Sequence, residues 1–303
     1  MTATTAHAVQ PTAVSLGTAT PGGGFPLYGA ALAETINATD PSLAVTPRNT
    51  KGSTENVPLL EAGQLDIALV QGEVAYEAFA GIGRRPSGLQ IITAMYSTPG
   101  MFVVRADSPY RTIGDLRGKR VAFGASGSGL VILARYVLDG IGLDQDKDFE
   151  AVYLDRAGDG PAMVLDGRVA ALWGGGTGWP GFAAVASDPG GARFIAPDAV
   201  EAVRIRTKHS FLKPLTIAAG TYSGQNEAIA SVGSWSFVLA RPTLDDDTAY
   251  RLARALHRGE TTLGQRLAQA RETTATNTAQ AAPRRELIHP GVLRYLREIG
   301  VVK

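Results

Sequence analysis

Five times along this 303-residue chain, a run of apolar and β-branched residues stops at a small, polar, glycine-rich loop. The runs Val14–Leu16, Leu43–Pro47, Asp66–Val70, Arg120–Phe123 and Val169–Trp173 are followed by the loops 17–24, 49–53, 71–72, 124–129 and 174–178. Helix-spaced apolar residues follow at Leu27–Asn37, Ser53–Ala62 and Gly129–Asp139. Strands alternating with helices at this interval predict an α/β fold with mainly parallel sheets. In such sheets ligands gather beyond the carboxyl ends of strands, beside helix N-termini. The loops recur in the early and the middle part of the chain, so two half-sites facing across a cleft are expected. The length supports two domains.

Further strands are predicted at Ile91–Ala94, Met101–Val104, Val152–Leu154 and Trp235–Ala240, and further helices at Gly160–Asp166, Leu244–His257 and Gly291–Ile299. Gly140 reads as a helix C-cap, and Pro290 as the opening of the last helix.

Several chemistries are excluded or weakened. The loop Gly17-Thr-Ala-Thr-Pro-Gly22 has the interval of a phosphate-binding loop, yet Gly23 and Gly24 stand where Lys and Ser/Thr belong. It also lacks the second glycine of a dinucleotide fingerprint. Neither frame of Gly124-Ala-Ser-Gly-Ser-Gly129 gives the G-x-S-x-G elbow of a serine hydrolase. The four histidines, His7, His209, His257 and His289, are scattered and cysteine is absent, so no Cys/His metal site or thiol chemistry is expected. His209 and His289 read as turn or cap residues. No cofactor is called for. The formal net charge of +1 offers no field for nucleic acid. No apolar run approaches the ~18 residues of a membrane span, and the start MTATTAHAVQP has neither a basic nor an apolar leader segment.

What the loops do offer is hydrogen-bond donors: backbone N–H groups beside glycines, and the hydroxyls of Thr18, Thr20, Ser53, Ser126 and Ser128. Each charge-assisted bond is worth roughly 1.5–3 kcal/mol. A micromolar ligand needs about 8 kcal/mol net, so four or five such bonds to a carboxylate suffice without any chemistry. Binding is favoured over catalysis.

The segments GTATPGGGFPLYG, NTKGSTENVPLLEAGQLDIALVQGEVAYEA, SPYRTIGDLRGKRVAFGASGSG, AGTYSGQNE and HPGVLRYLREIG, in that order, resemble the solute-binding proteins of TRAP transporters, and more narrowly the TRAP-associated extracytoplasmic immunogenic (TAXI) type. The resemblance implies a type II periplasmic-binding-protein fold, two α/β lobes joined by hinge strands at Met101–Arg105 and Gly233–Arg241, with a ligand cleft between them. Lobe one comprises residues 1–103 plus 236–303 and lobe two residues 104–235. It implies a non-enzymatic receptor in the periplasm, its signal segment already removed, which delivers an amino acid or other small carboxylate to a TRAP permease without inserting in the membrane itself. A binding protein of an ABC importer, and a cytosolic enzyme or regulatory domain on the same fold, are the alternatives. The candidate ligand-binding residues are Thr18, Thr20, Gly24, Phe25, Lys51, Ser53, Gln71, Ser126, Gly127, Ser128, Gly176, Thr177 and Trp179. Lys51 is the candidate partner for a ligand carboxylate, with Arg156 a second, and Trp179 and Phe25 are candidate walls. Tyr28 and Trp173 read as packing residues.

Overall fold

Two strands, far longer than the rest, organise the molecule. In the computed structural model, which describes residues 10–303, β1 (Thr12–Gly17), α1 (Gly24–Thr39), β2 (Leu43–Arg48), α2 (Ser53–Glu61), β3 (Ile67–Val70) and α3 (Gly72–Ala80) lead into the 16-residue β4 (Gln90–Arg105). Then come β5 (Arg120–Ala125), α4 (Gly129–Gly140), β6 (Glu150–Leu154), α5 (Gly160–Leu165), β7 (Ala171–Gly175), α6 (Pro180–Ala186), β8 (Ala192–Ile195), α7 (Ala199–Lys208) and β9 (Lys213–Ile217). The 12-residue β10 (Ile229–Ala240) returns, followed by α8 (Asp246–Arg266), α9 (Ala275–Ala281) and α10 (Pro290–Glu298). His7 and the reading of the N-terminal segment MTATTAHAV lie outside the described residues.

The fold is the expected α/β, two-lobed arrangement, but not with mainly parallel sheets. Pairs β1–β2, β1–β3, β5–β6 and β5–β7 are parallel, whereas β10–β3, β10–β4, β10–β9, β4–β7 and β4–β8 are antiparallel. Every antiparallel pair involves β4 or β10, the strands that run through both lobes. β4 reads as two strands because Ser97-Thr98-Pro99-Gly100 has turn composition. The backbone stays extended there because Pro99 pairs with Gly233 on one side only, and the second neighbour, β7, begins at Gly100. A proline is tolerated where no ladder donor is required.

Other departures have local causes. α4 runs through Gly140, and the left-handed stop falls at Gly142 (φ 84°). Gly140 is where α7 presses on α4, since a Cβ there would lie 2.7 Å from Ile205 Cα. α8 continues past His257 to Arg266 although Gly259 and Gly264 look like breaks, because Gly259 faces Thr35 and Thr39 of α1. α3, α6, α7, α9, β8 and β9 were not read from the sequence. Of these α7 carried a signal, since Asp198 and Glu201 form a capping box. His289 caps α10, its Nδ1 accepting from Gly291 N–H at 3.2 Å, with Pro290 in the first turn as expected.

Apolar layers cover both faces of each sheet, as buried parallel strands require. Trp173 anchors the second lobe. It is fully buried, meets Phe102 edge to face at 4.7 Å, and donates its indole N–H to Leu130 O at 2.8 Å. Trp173→Ala leaves a cavity, so a loss of about 3–5 kcal/mol is expected. Urea unfolding measures it, and a loss below 1 kcal/mol contradicts this packing.

Candidate ligand-binding cleft

A helix begins with N–H groups that have no intrahelical acceptor and with a partial positive charge. Here the residues preceding α1, α2, α3 and α4, namely Gly23, Gly52, Gln71 and Ser128, all line one cavity. Trp179, preceding the shorter α6, forms one wall. Both lobes contribute, with α1, α2 and α3 following strands of one sheet and α4 and α6 following strands of the other. At Gly23, Gly52 and Gln71 no side chain caps the helix. The cavity holds about 50 Å³, room for about four water-sized groups.

The lobes meet around this cavity. Thr54 donates to Gly127 O from its N–H (3.3 Å) and from its hydroxyl (3.0 Å), and Ala157 N–H donates to Thr20 Oγ1 at 3.3 Å. Glycine makes the approach possible. A Cβ on Gly127 would lie 2.6 Å from Lys51 O, and one on Gly22 would lie 2.5 Å from Gly158 Cα. Outside the cleft, Tyr76 stacks on Phe211 at 3.9 Å, and Glu77 bonds Arg135 and Tyr136.

Of the candidates, Thr20, Gly24, Phe25, Lys51, Ser53, Gln71, Ser128 and Trp179 line the cavity together. Thr18, Ser126, Gly127, Gly176 and Thr177 do not. Thr18 is buried behind the wall, its hydroxyl donating to Arg48 O at 3.1 Å, the backbone role open to a threonine after a strand. Gly127 belongs to the lobe contact, Ser126 points to solvent, and Gly176 O accepts from Tyr222 OH. Thr177 and the exposed Arg156 stand outside the lining.

The serine hydroxyls carry structural duties too. Ser53 Oγ accepts from Gln71 N–H at 3.0 Å, and Ser128 Oγ accepts from Leu130 N–H at 3.2 Å. Lys51 is the charged side chain among the described lining residues, and its side chain is solvent-exposed. Tyr28 and Trp173 are core residues, as read from the sequence.

Sequence reading missed Tyr96, Thr98 and Gly175, which also line the cavity. Tyr96 and Thr98 sit on β4 between the two runs that the sequence presents as separate strands, so no strand-end signal marks them, whereas Gly175 lies in the glycine loop 174–178 without having been singled out. Burial, together with the nearby Tyr28 hydroxyl and Glu272 carboxylate, holds the Tyr96 phenol above its ordinary range, so it stays neutral. It also missed Glu73, fully buried at the start of α3, whose carboxyl is pushed up to about 7 by burial. Among the described residues no cluster of three or more His, Asp or Glu is placed to hold a metal ion. No described helix is long and apolar enough to cross a membrane.

Residues 16–300 match the profile of the NMT1-like family. Among solved structures the chain is similar to the alkanesulfonate-binding protein SsuA from Xanthomonas axonopodis pv. citri bound to MOPS, at 20% identity and a TM-score of 0.56, covering 96% of this chain and 85% of that one. It is similar to the periplasmic binding protein BugD, at 14% identity and a TM-score of 0.60, covering 97% and 99%. It is also similar to a TctC solute-binding protein from Polaromonas, at 16% and 0.50, covering 97% and 99%. At these identities the likeness is one of fold: two α/β lobes with the cleft between them.

Gly127 is partly exposed and has no positive φ, so Gly127→Ala is free of backbone strain and meets only the opposite lobe. Its Cβ cannot coexist with the Lys51 carbonyl at the closed distance, so the lobes should part. Small-angle scattering should give a larger radius of gyration than the wild type. An unchanged curve contradicts the closure described above.

Proposed function

The chain belongs to the NMT1-like family, and on that premise we propose that it is an extracytoplasmic, non-enzymatic solute-binding protein that captures a small organic anion by lobe closure. The observation that carries this reading is the convergence of four helix N-termini from both lobes, with Lys51 at the rim, on one small cavity. Such an environment favours a negative charge. An anion held by donors of both lobes holds the lobes together.

A carboxylate of an amino acid or other short organic acid is the proposed ligand class, since the cavity is small and Phe25, Leu130 and Trp179 supply apolar walls for a short chain. Catalysis is disfavoured because no His, Asp or Glu is among the described lining residues, so neither Ser53 nor Ser128 has a base. We divide the chain into lobe one, residues 1–103 plus 236–303, and lobe two, residues 104–235, with β4 and β10 as the hinge strands. Their changes of pairing partner, near Pro99–Gly100 and Gly233–Trp235, support strands that pass from lobe to lobe. Periplasmic placement and delivery to a TRAP permease complete the proposal, and they rest on the TAXI-like sequence segments. Delivery to an ABC importer is the second reading, favoured by the likeness to SsuA, a sulfonate-binding protein. A neighbouring permease gene of TRAP type, as against an ATPase gene, separates the two.

Calorimetry and thermal shift with short carboxylates, amino acids, alkanesulfonates and nucleotides test the ligand class. A carboxylate should bind and raise the melting temperature through linkage. Binding of nucleotides alone contradicts the proposal. Lys51→Met should weaken carboxylate binding roughly ten- to a hundredfold, the value of one charge-assisted bond, with melting of the ligand-free protein unchanged. Equal affinity removes Lys51 from the site.

A further inference from the structure

Three polar side chains with no hydrogen-bond partner lie together at the start of α3: both carboxyl oxygens of Glu73, Nε2 of Gln71 and Oγ of Ser234. All three residues are at least nine-tenths buried. Such groups are expensive to leave unpaired. The α3 end is pressed on β10 so closely that a Cβ on Gly72 would lie 2.7 Å from Ser234 Cβ. Gln71 lines the cleft, whereas Glu73 stands behind it. The Ser234 hydroxyl and the Gln71 side chain lie close enough to the Glu73 carboxyl to favour its ionised form, without reaching hydrogen-bond geometry. Nε2 of Gln71 is thus buried on the Glu73 side, while Oε1 is the end near Gly129, where the cleft lies.

We propose that Glu73 is a positioning residue that sets which end of the Gln71 amide faces the ligand. Ionised, the carboxylate accepts from Nε2, and Oε1 is presented to the cleft, which suits a ligand that donates. Protonated, the carboxyl O–H donates to Oε1, the amide turns by half a rotation about Cγ–Cδ, and Nε2 donates into the cleft, which suits an anion. No bond is made or broken apart from the proton on Glu73. The inference rests on the anion-binding reading of the same cleft.

Burial places the carboxyl at about 7, where either form is accessible. Of the neighbouring charges, the Glu77 carboxylate raises it further, in the same direction as burial. Glu77, on the same helix, is bonded by Arg135 and Tyr136 of α4. On α2, Glu61 pairs with Arg84 and Glu55 accepts from Lys51 N–H. β10 contributes no charged residue. A bound carboxylate favours the protonated form of Glu73, so anion binding should take up a proton, and anion affinity should fall as pH rises through 7.

The test reads the Gln71 side-chain amide in ¹H–¹⁵N spectra of the ligand-free protein across pH, with Gln71→Ala to assign it. The resonances should titrate with a midpoint near 7, and should be flat in Glu73→Gln. Resonances that are flat in the wild type, or that titrate alike in both proteins, overturn the proposal whatever the ligand. Calorimetry with acetate, pyruvate and glutamate follows. The wild-type affinity for whichever binds should fall about tenfold per pH unit above the midpoint, as uptake of one proton requires, and Glu73→Gln should abolish that slope. A titrating amide in a protein that binds no carboxylate upholds the role of Glu73 and sinks the proposed function instead. An affinity that does not vary with pH overturns the coupling.

Discussion

Four helices begin at one cavity, and much of the molecule exists to hold them there. Each N-terminus carries unpaired N–H groups whose desolvation is costly without an acceptor. Placing several of them face to face concentrates like partial charges, which an anion relieves. The strands before α1, α2 and α3 belong to one sheet and the strand before α4 to the other. The cavity is therefore complete only where the lobes meet, and on the proposed function binding and closure become one event.

The crossing strands make that meeting possible. The first part of β4, Gln90–Pro99, pairs with β10, while the rest of β4 pairs with β7 and β8, and β10 takes β9 and β3 on its other edge. The register of the β4–β10 ladder shifts between Trp235 and Phe237, where a bulge bends the strand. Ser234 stands on β10 just before that shift and Gln71 lines the cleft, with Glu73 buried beside both.

How much of this could be read from the residues alone depended on the range of each signal. The glycine loops were legible because a strand, a loop and a helix are adjacent in sequence, and Gly24, Lys51, Ser53, Gln71 and Ser128 were found that way. Tyr96 and Thr98 were not, because their position is decided by pairing with β10, more than 130 residues on. The same holds for Thr18 and Gly127. Both look like donors in a loop, and only the folded chain shows one bonded to the Arg48 carbonyl of β2 and the other set against Lys51. Glycine carries two meanings in these loops, access for a ligand and access for the opposite lobe. Gly22 and Gly127 serve the second.

The central claim is that backbone donors of both lobes hold a negative group. A crystal structure of the protein purified with its natural ligand tests this most directly. The account predicts an anionic group within hydrogen-bond distance of backbone N–H groups at the starts of α1 or α2 and of α4 at once, with the lobes closed. A ligand bound through one lobe alone, or with its charged group turned away from the helix ends, would contradict it.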